Sequence, residues 1–323
     1  MFFRKGGQTL IRYFRTDNGK IQEGQSFTEG GWIMAVAPSY EESVQLANEY
    51  NVDVADIRAA MDDEESSRVD VSNDYTLIVV DIPAIETRNE VDSYTTIPLG
   101  MIVTENRIIT VCAEDTPILQ YFIKNNVREF STKKQMRFVY QIMHKTCMIY
   151  QNQLRVIDKK RTEIEERVHD EATEDRDLIA LHELESTLVY FATSLRANGA
   201  IIERLTRYGK IRQYPEDREL LEDVIVENKQ AIEMTVIYRD ILNGTRDLMS
   251  TIINNRMNVV MKYLAAITIV MAVPDIISGI YGMNVSQEWM PLAFTKYGFD
   301  IIVGFIIVLC AIIILILKRK KML

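Results

Sequence analysis

The sequence predicts an α+β membrane protein: an N-terminal α/β domain, a long helical hairpin, a stalk helix and two C-terminal transmembrane helices. Three observations carry this expectation. Residues 263–281 and 301–317 are apolar runs, each close to the roughly 20 residues that span about 30 Å of hydrocarbon, although 26% of the whole chain is charged. Short strand-like and helix-like segments alternate up to about residue 116. Beyond Pro117, proline returns only at Pro215, Pro274 and Pro291, and the intervening Glu, Lys, Arg, Leu and Ile have the composition of long helices.

Taken in order, residues 1–24 carry Arg4, Lys5, Arg12 and Arg15 but no apolar stretch of signal-peptide length, so the N-terminal part is expected not to be exported. Residues 31–37 read as a strand, and Ser39 with Glu42 three positions later reads as a capping box opening a helix to Tyr50. A short helix over 54–61 leads into Asp62, Asp63, Glu64 and Glu65, a solvated helix end. Strands follow at 75–82, 96–104 and 107–112, the last two joined by Glu105 and Asn106. Helices at 133–170 and 175–208, broken by the polar 171–174, form an antiparallel hairpin. The third starts after Pro215 and meets no stop signal before Tyr281; Gly244 costs it only about 1 kcal/mol. That is a helix of about 66 residues and about 100 Å. Its apolar positions Leu221, Val224, Ile225, Ile232, Val236, Ile241, Leu248 and Ile252 need cover, part of it from other subunits. The expected domains are 1–130 (α/β), 131–212 (hairpin), 213–258 (stalk), 259–281 (first span), 282–298 (external loop), 299–317 (second span) and 318–323 (basic tail).

Composition excludes several functions. A net charge of −9 disfavours nucleic acid as a partner, because phosphate binding needs a basic surface. No G-x-x-x-x-G-K-[ST] run or paired acid and base is present, so neither a nucleotide, an organic cofactor nor an enzymatic reaction is expected. Cys112, Cys147 and Cys310 are widely spaced and only His144, His169 and His182 accompany them, which argues against a disulfide framework and a zinc site. Lys318, Arg319, Lys320 and Lys321 follow the second span, whereas the loop between the spans holds only Lys296, so both termini are expected in the cytoplasm of a multi-pass membrane protein. Tyr281, Trp289, Phe294 and Tyr297 sit where an interfacial aromatic belt would lie in a lipid bilayer. Asn284-Val285-Ser286 matches a glycosylation sequon by coincidence.

Tyr281-Gly282-Met283-Asn284 ends the first span, preceded by Gly279-Ile280 and followed by Met290-Pro291, the second span and the basic tail. In this context the chain resembles, over its whole length, the CorA family of magnesium transport proteins. The resemblance implies a homopentameric funnel in the cell membrane whose first spans line one central pore, with Asn284 ringing the outer mouth. It further implies passive Mg2+ influx, with Mg2+ both the transported and the regulatory ion. Mg2+ sheds water reluctantly, so Asn284 side-chain and Gly282 backbone carbonyls suit a mouth, formed by Gly282, Met283 and Asn284, that accepts hydrogen bonds from the hydrated ion. The bland alternative is a left-handed helix cap, for which Gly and Asn are also used.

Helical spacing places Asn258, Met261, Ala265, Thr268, Ala272, Asp275 and Gly279 on one stripe, with Leu264 beside it. Small and hydroxylic residues leave a wettable bore, and Met261 with Leu264, where the family has its hydrophobic gate, are suited to close it by dewetting; ordinary helix packing also uses small residues. Asp275 departs from the neutral polar residue the family carries at this level. An intramembrane acid costs about 2.5–3.5 kcal/mol on insertion scales and reads as a cation-binding ring; the alternative is a packing carboxylate paired with a neighbour, for which the first span offers only Lys262, three to four turns away. The resemblance also implies inter-subunit regulatory metal sites, with the stalk acid at Asp223 and the α/β acid at Asp56. Transport of Co2+, Ni2+ or Zn2+ is the alternative within the class, although Met283 departs from the zinc branch, and a membrane-anchored coiled-coil scaffold is the alternative outside it.

Overall fold

The computed structural model describes residues 11–88, 91–124, 127, 129–169, 175–207, 209, 214–286, 290–292, 294–320 and 322. The chain divides into two units, Met1–Thr245 and Arg246–Leu323. In the first, a seven-stranded sheet is built from β1 (Ile11–Asp17), β2 (Lys20–Gly24), β3 (Gly31–Val36), β4 (Arg68–Val71), β5 (Thr76–Arg88), β6 (Val91–Val103) and β7 (Arg107–Cys112). Its spatial order is β2-β1-β3-β7-β6-β5-β4, antiparallel throughout except for the parallel pair β3 and β7. Strand alternation sorts side chains to two cores: Trp32 and Met34 face one side, Ile33 and Ala35 the other.

Two helices, α1 (Tyr40–Tyr50) and α2 (Val54–Arg58), cover the second face through Leu46, Ala47, Tyr50 and Ile57, and a 3-10 turn at Ala59–Met61 adds Ala59 and Ala60. The capping box expected from Ser39 and Glu42 is present, with Ser39 N–H donating to Glu42 Oε2 at 2.7 Å and Glu42 N–H to Ser39 Oγ at 3.2 Å. The first face is covered by α3 (Pro117–Ile123), α4 (Gln135–His169), α5 (Asp175–Thr206) and the start of α6 (Pro215–Tyr281). Here Phe14, Trp32, Phe122, Phe130 and Phe138 form a chain of rings with centroids 4.7–5.2 Å apart, each contact adding about 0.5–1.5 kcal/mol beyond its area. Trp32 Nε1 satisfies itself by donating to Thr110 Oγ1 at 2.8 Å. One core therefore runs from the sheet through the helical hairpin into the stalk helix.

Several expectations need adjustment. The strand expected to 37 stops at Val36 because Ala37 turns into the left-handed region, φ 45°. β5 and β6 are 13 residues each, since their ladder continues to Arg88↔Val91 beyond the apolar segments that mark them in sequence. The strands β1, β2 and β4 and the helix α3 were not expected. The helices α4, α5 and α6 lie close to their expected bounds, and the segment 171–174 between α4 and α5 lies outside the described residues.

α6 is 67 residues long and begins at Pro215, whose missing N–H is no loss at a first helical position. Tyr214, just before it, donates its backbone N–H to Asp217 Oδ2 at 2.8 Å, and the buried Asp217 also accepts from Arg137 Nη1 at 3.4 Å. Within the first unit the buried face of α6 runs Leu221, Val224, Asn228, Ala231, Thr235, Leu242 and Thr245, with the three-and-four spacing of a packed helix seam. Val226, Ile237 and Ile241 are exposed on another face. Of the apolar positions expected to need cover, Leu221 and Val224 are buried within the chain and Ile241 and Leu248 are not.

The second unit contains the rest of α6 and α7 (Gly298–Arg319), both long and apolar enough to cross a membrane. Among the described residues here, Ala266, fully buried, and Leu317 are the buried hydrophobic ones besides Met249.

Candidate functional site

Proline at position 274 has no N–H to give the carbonyl one turn back, Val270. Cys310 of α7 supplies a replacement: its Sγ lies 3.8 Å from that carbonyl oxygen and donates to it. Ala266 and Val270 thus mark the face of α6 turned to α7, with Val273 and Ile277 on the same side at helical spacing. At about 100° per residue, the stripe Asn258, Met261, Ala265, Thr268, Ala272, Asp275 and Gly279 falls on the opposite side. In the single chain Asn258, Met261, Leu264, Ala265, Thr268, Asp275 and Gly279 are exposed and Ala272 is half-buried. Thr268 Oγ1 donates to Leu264 O at 2.8 Å, leaving its lone pairs available on the free face.

α6 ends where Gly282 N–H donates to Ser278 O at 2.8 Å and Met283 N–H to Ile280 O at 3.3 Å. Gly282 and Asn284 both keep negative φ, so the left-handed cap that these residue types also favour is not what they form. A side chain at 282 would place its Cβ 3.2 Å from Ser278 O, a close contact that asks the end of the helix to give by a few tenths of an ångström. Met283 and Asn284 are exposed, and Tyr281 Oη ties the loop back by donating to Pro291 O at 2.9 Å. Of the other loop aromatics, Phe294 and Tyr297 are exposed and Trp289 lies outside the described residues. The basic end of α7 holds Lys318 and Arg319, followed by Lys320; Lys321 lies outside the described residues.

The two acids expected to hold a regulatory ion both lie in the first unit. Asp56 is half-buried in the first turn of α2, whose cap is Asp53. Tyr75, just before β5, donates its hydroxyl to Asp56 Oδ2 at 2.6 Å and accepts from Asp53 N–H at 3.2 Å. Burial and the carboxylate beside it push the Tyr75 phenol above its ordinary value, so it remains a donor across the physiological range. Arg68 lies close enough to interact electrostatically with Asp56, while pairing with Glu65 and, at 2.5 Å, with Asp70. Tyr75 and Arg68 were not singled out in the sequence, since the hairpin β4–β5 alone brings them to Asp56. In the expected solvated run, Asp62, Asp63 and Glu64 are exposed, whereas Glu65 is engaged by Arg68.

Asp223 is exposed on α6, on the same side as Val226 and Ile237 and away from the buried seam. Among the described residues of one chain no three His, Cys, Asp or Glu side chains converge as a metal site.

The family model described as CorA-like Mg2+ transporter protein matches residues 29–319. The chain is 30% identical over 294 residues, 90% of either chain, to the cobalt/magnesium transport protein CorA of Methanocaldococcus jannaschii. It is 22% identical over 312 residues to the magnesium transport protein CorA of Helicobacter pylori, covering 93% of this chain and 92% of that one. The complete structure of the CorA magnesium transporter from Methanocaldococcus jannaschii superposes with a TM-score of 0.82 at 26% identity, over 97% of this chain and 99% of that one. The chain belongs to the CorA-like Mg2+ transporter family, and is a membrane protein that transports divalent cations.

Proposed function

We propose that the protein is a homopentameric Mg2+ channel of the cell membrane that conducts Mg2+ passively inward and closes when cytoplasmic Mg2+ fills acidic sites between subunits. The observation that carries this reading is the free face of α6. The face turned to α7 is occupied, and the opposite one carries hydroxyl, amide, carboxylate and small residues that are exposed except for the half-buried Ala272, leading toward Asn284. Five such faces around an axis make a bore that a hydrated ion can wet, with Met261 and Leu264 as the apolar constriction. Asn284 and Gly282 carbonyls accept hydrogen bonds from the ion's water shell, and an Asp275 ring binds the cation further in.

In this reading both termini and the first unit are cytoplasmic, residues 282–298 face outward, and the bilayer surrounds α7 and the outer part of α6. Two charges falling through 100 mV release about 4.6 kcal/mol, so no nucleotide is required. Asp223 and the neighbour's Asp56 complete the regulatory site; Asp223 is exposed on α6 and Asp56 is half-buried at the start of α2.

The deciding experiment is flux through purified protein in liposomes, with Mg2+, Co2+, Ni2+ and Zn2+ compared in turn and internal Mg2+ varied. Mg2+ flux that stops as internal Mg2+ rises supports the proposal. Selective Co2+ flux would move the protein toward the cobalt named for the Methanocaldococcus jannaschii relative. An absence of flux for every ion would leave the two spans as an anchor.

A further inference from the structure

The exposed position of Asp223 has a cause on the far side of its helix. Five residues on, Asn228 is buried, 3% exposed, and at about 100° per residue it points about 140° away from Asp223. Its Nδ2 donates to Leu195 O of α5 at 3.1 Å, and its Oδ1 accepts from Cys147 Sγ of α4 at 3.8 Å. Desolvation pushes the Cys147 thiol up to about 12, so it stays protonated and remains a donor. The amide enters a notch made by Gly199, where a Cβ would lie 3.0 Å from Asn228 Nδ2. Next to it, Gln151 Nε2 of α4 donates to the Glu227 backbone O at 3.2 Å and to its carboxylate at 2.6 Å.

The same layer reaches the sheet. Asn198, adjacent to Gly199, accepts from Asp81 N–H at 2.9 Å and donates to Asp81 O at 2.7 Å, and Tyr150 Oη donates to that same carbonyl at 3.2 Å. A buried amide with directed partners on two helices costs more to rotate than an apolar side chain, because turning leaves donor and acceptor unpaired in a low dielectric.

We propose that Asn228, seated in the Gly199 notch, is the positioning residue that fixes the rotation of α6 and so presents Asp223 outward for Mg2+ sensing; this rests on the reading of Asp223 as a regulatory acid. An apolar residue would hold α6 against α5 without fixing which way it is turned. A methyl at 199 would crowd the amide, with its Cβ 3.0 Å from Nδ2, and would push Asn228 by a few tenths of an ångström away from its partners.

The test is the internal Mg2+ concentration that half-closes the full-length channel in liposomes, measured for the wild type, Asn228→Ala, Gly199→Ala, the double variant and Asp223→Lys, with flux at negligible internal Mg2+ as the control. Asn228→Ala and Gly199→Ala are each expected to raise that concentration about fivefold or more, the low end of ordinary site coupling, with control flux unchanged. The double variant should match Asn228→Ala alone, because the added methyl no longer meets an amide. Additive shifts would overturn the notch contact. A wild-type closing curve for Asn228→Ala beside a shifted one for Asp223→Lys would overturn the positioning role and leave the Asp223 site standing; an unshifted Asp223→Lys would overturn both. If Asn228→Ala fails to assemble, the milder Gly199→Ala carries the test: an unshifted closing curve in that variant overturns the proposal.

Discussion

Asn284 is uncharged, and for an ion that keeps its water this is an advantage: carbonyl oxygens accept the water's hydrogens without holding the ion as a carboxylate would. Asn284→Ala removes one acceptor per subunit and is expected to lower Mg2+ uptake about tenfold to a hundredfold, from 1.5–3 kcal/mol of charge-assisted hydrogen bonding, with assembly intact in detergent. Gly282→Ala should do the same by displacing the mouth, because its Cβ would press on Ser278 O at 3.2 Å. Liposome uptake checks both, and wild-type flux would reduce the tripeptide to a helix ending. Further in, Asp275→Asn keeps size and hydrogen bonding and deletes one charge per subunit, so under the proposed pore reading single-channel Mg2+ conductance should fall while assembly persists; unchanged conductance would place Asp275 away from the ion path. These residues are proposed from a helix periodicity and a motif at its end, both of which a sequence displays directly. Tyr75 and Arg68 were not legible in it, since their proximity to Asp56 depends on a strand register that no local pattern encodes.

The elements differ in how openly they declare themselves. α1 carries its own start signal in Ser39 and Glu42, whereas the edge strand β2 buries only Ile21 and its neighbour β1 fully buries only Phe14, so both read as polar sequence. α6 hides its packing face in another way: the seam uses Asn228, Ala231, Thr235 and Thr245, while apolar Val226 and Ile237 stay exposed. A search for hydrophobic positions therefore finds the helix but not the side by which it docks. The N-terminus of α6 gives a direct test. Asp217→Ala removes the acceptor for Tyr214 N–H and the buried partner of Arg137, an expected loss of about 2–3 kcal/mol. Thermal unfolding of the solubilised full-length protein should show a lower midpoint, and an unchanged one would mean that Glu129, which also pairs with Arg137 at 2.8 Å, suffices.

On the scale of the molecule, the order of regions was legible from composition, because long proline-free helices and apolar spans leave strong marks. What composition does not mark is that sheet, hairpin and stalk share one core, which depends on contacts between residues as distant as Phe14 and Val224. The exposed Val226, Ile237 and Ile241 form a stripe within about 60° on α6. Ile237→Glu is expected to weaken self-association, moving native mass spectra from five copies toward smaller species; retention of the wild-type distribution would place the subunit contact elsewhere.

The parallel pairing of β3 with β7 also bears on synthesis. β3 ends at Val36 and its neighbour begins at Arg107, so the centre of the sheet cannot close until β7 has left the ribosome. The core then waits again, for Leu221 and Val224 of α6, roughly another hundred residues or on the order of ten seconds at about 5–20 residues per second. Soon afterwards the first apolar span emerges on the same helix. Folding of the first unit and delivery of the chain to the insertion machinery therefore fall within a few seconds of each other, and a delay in one exposes the unpaired strands or the apolar span of the other to aggregation.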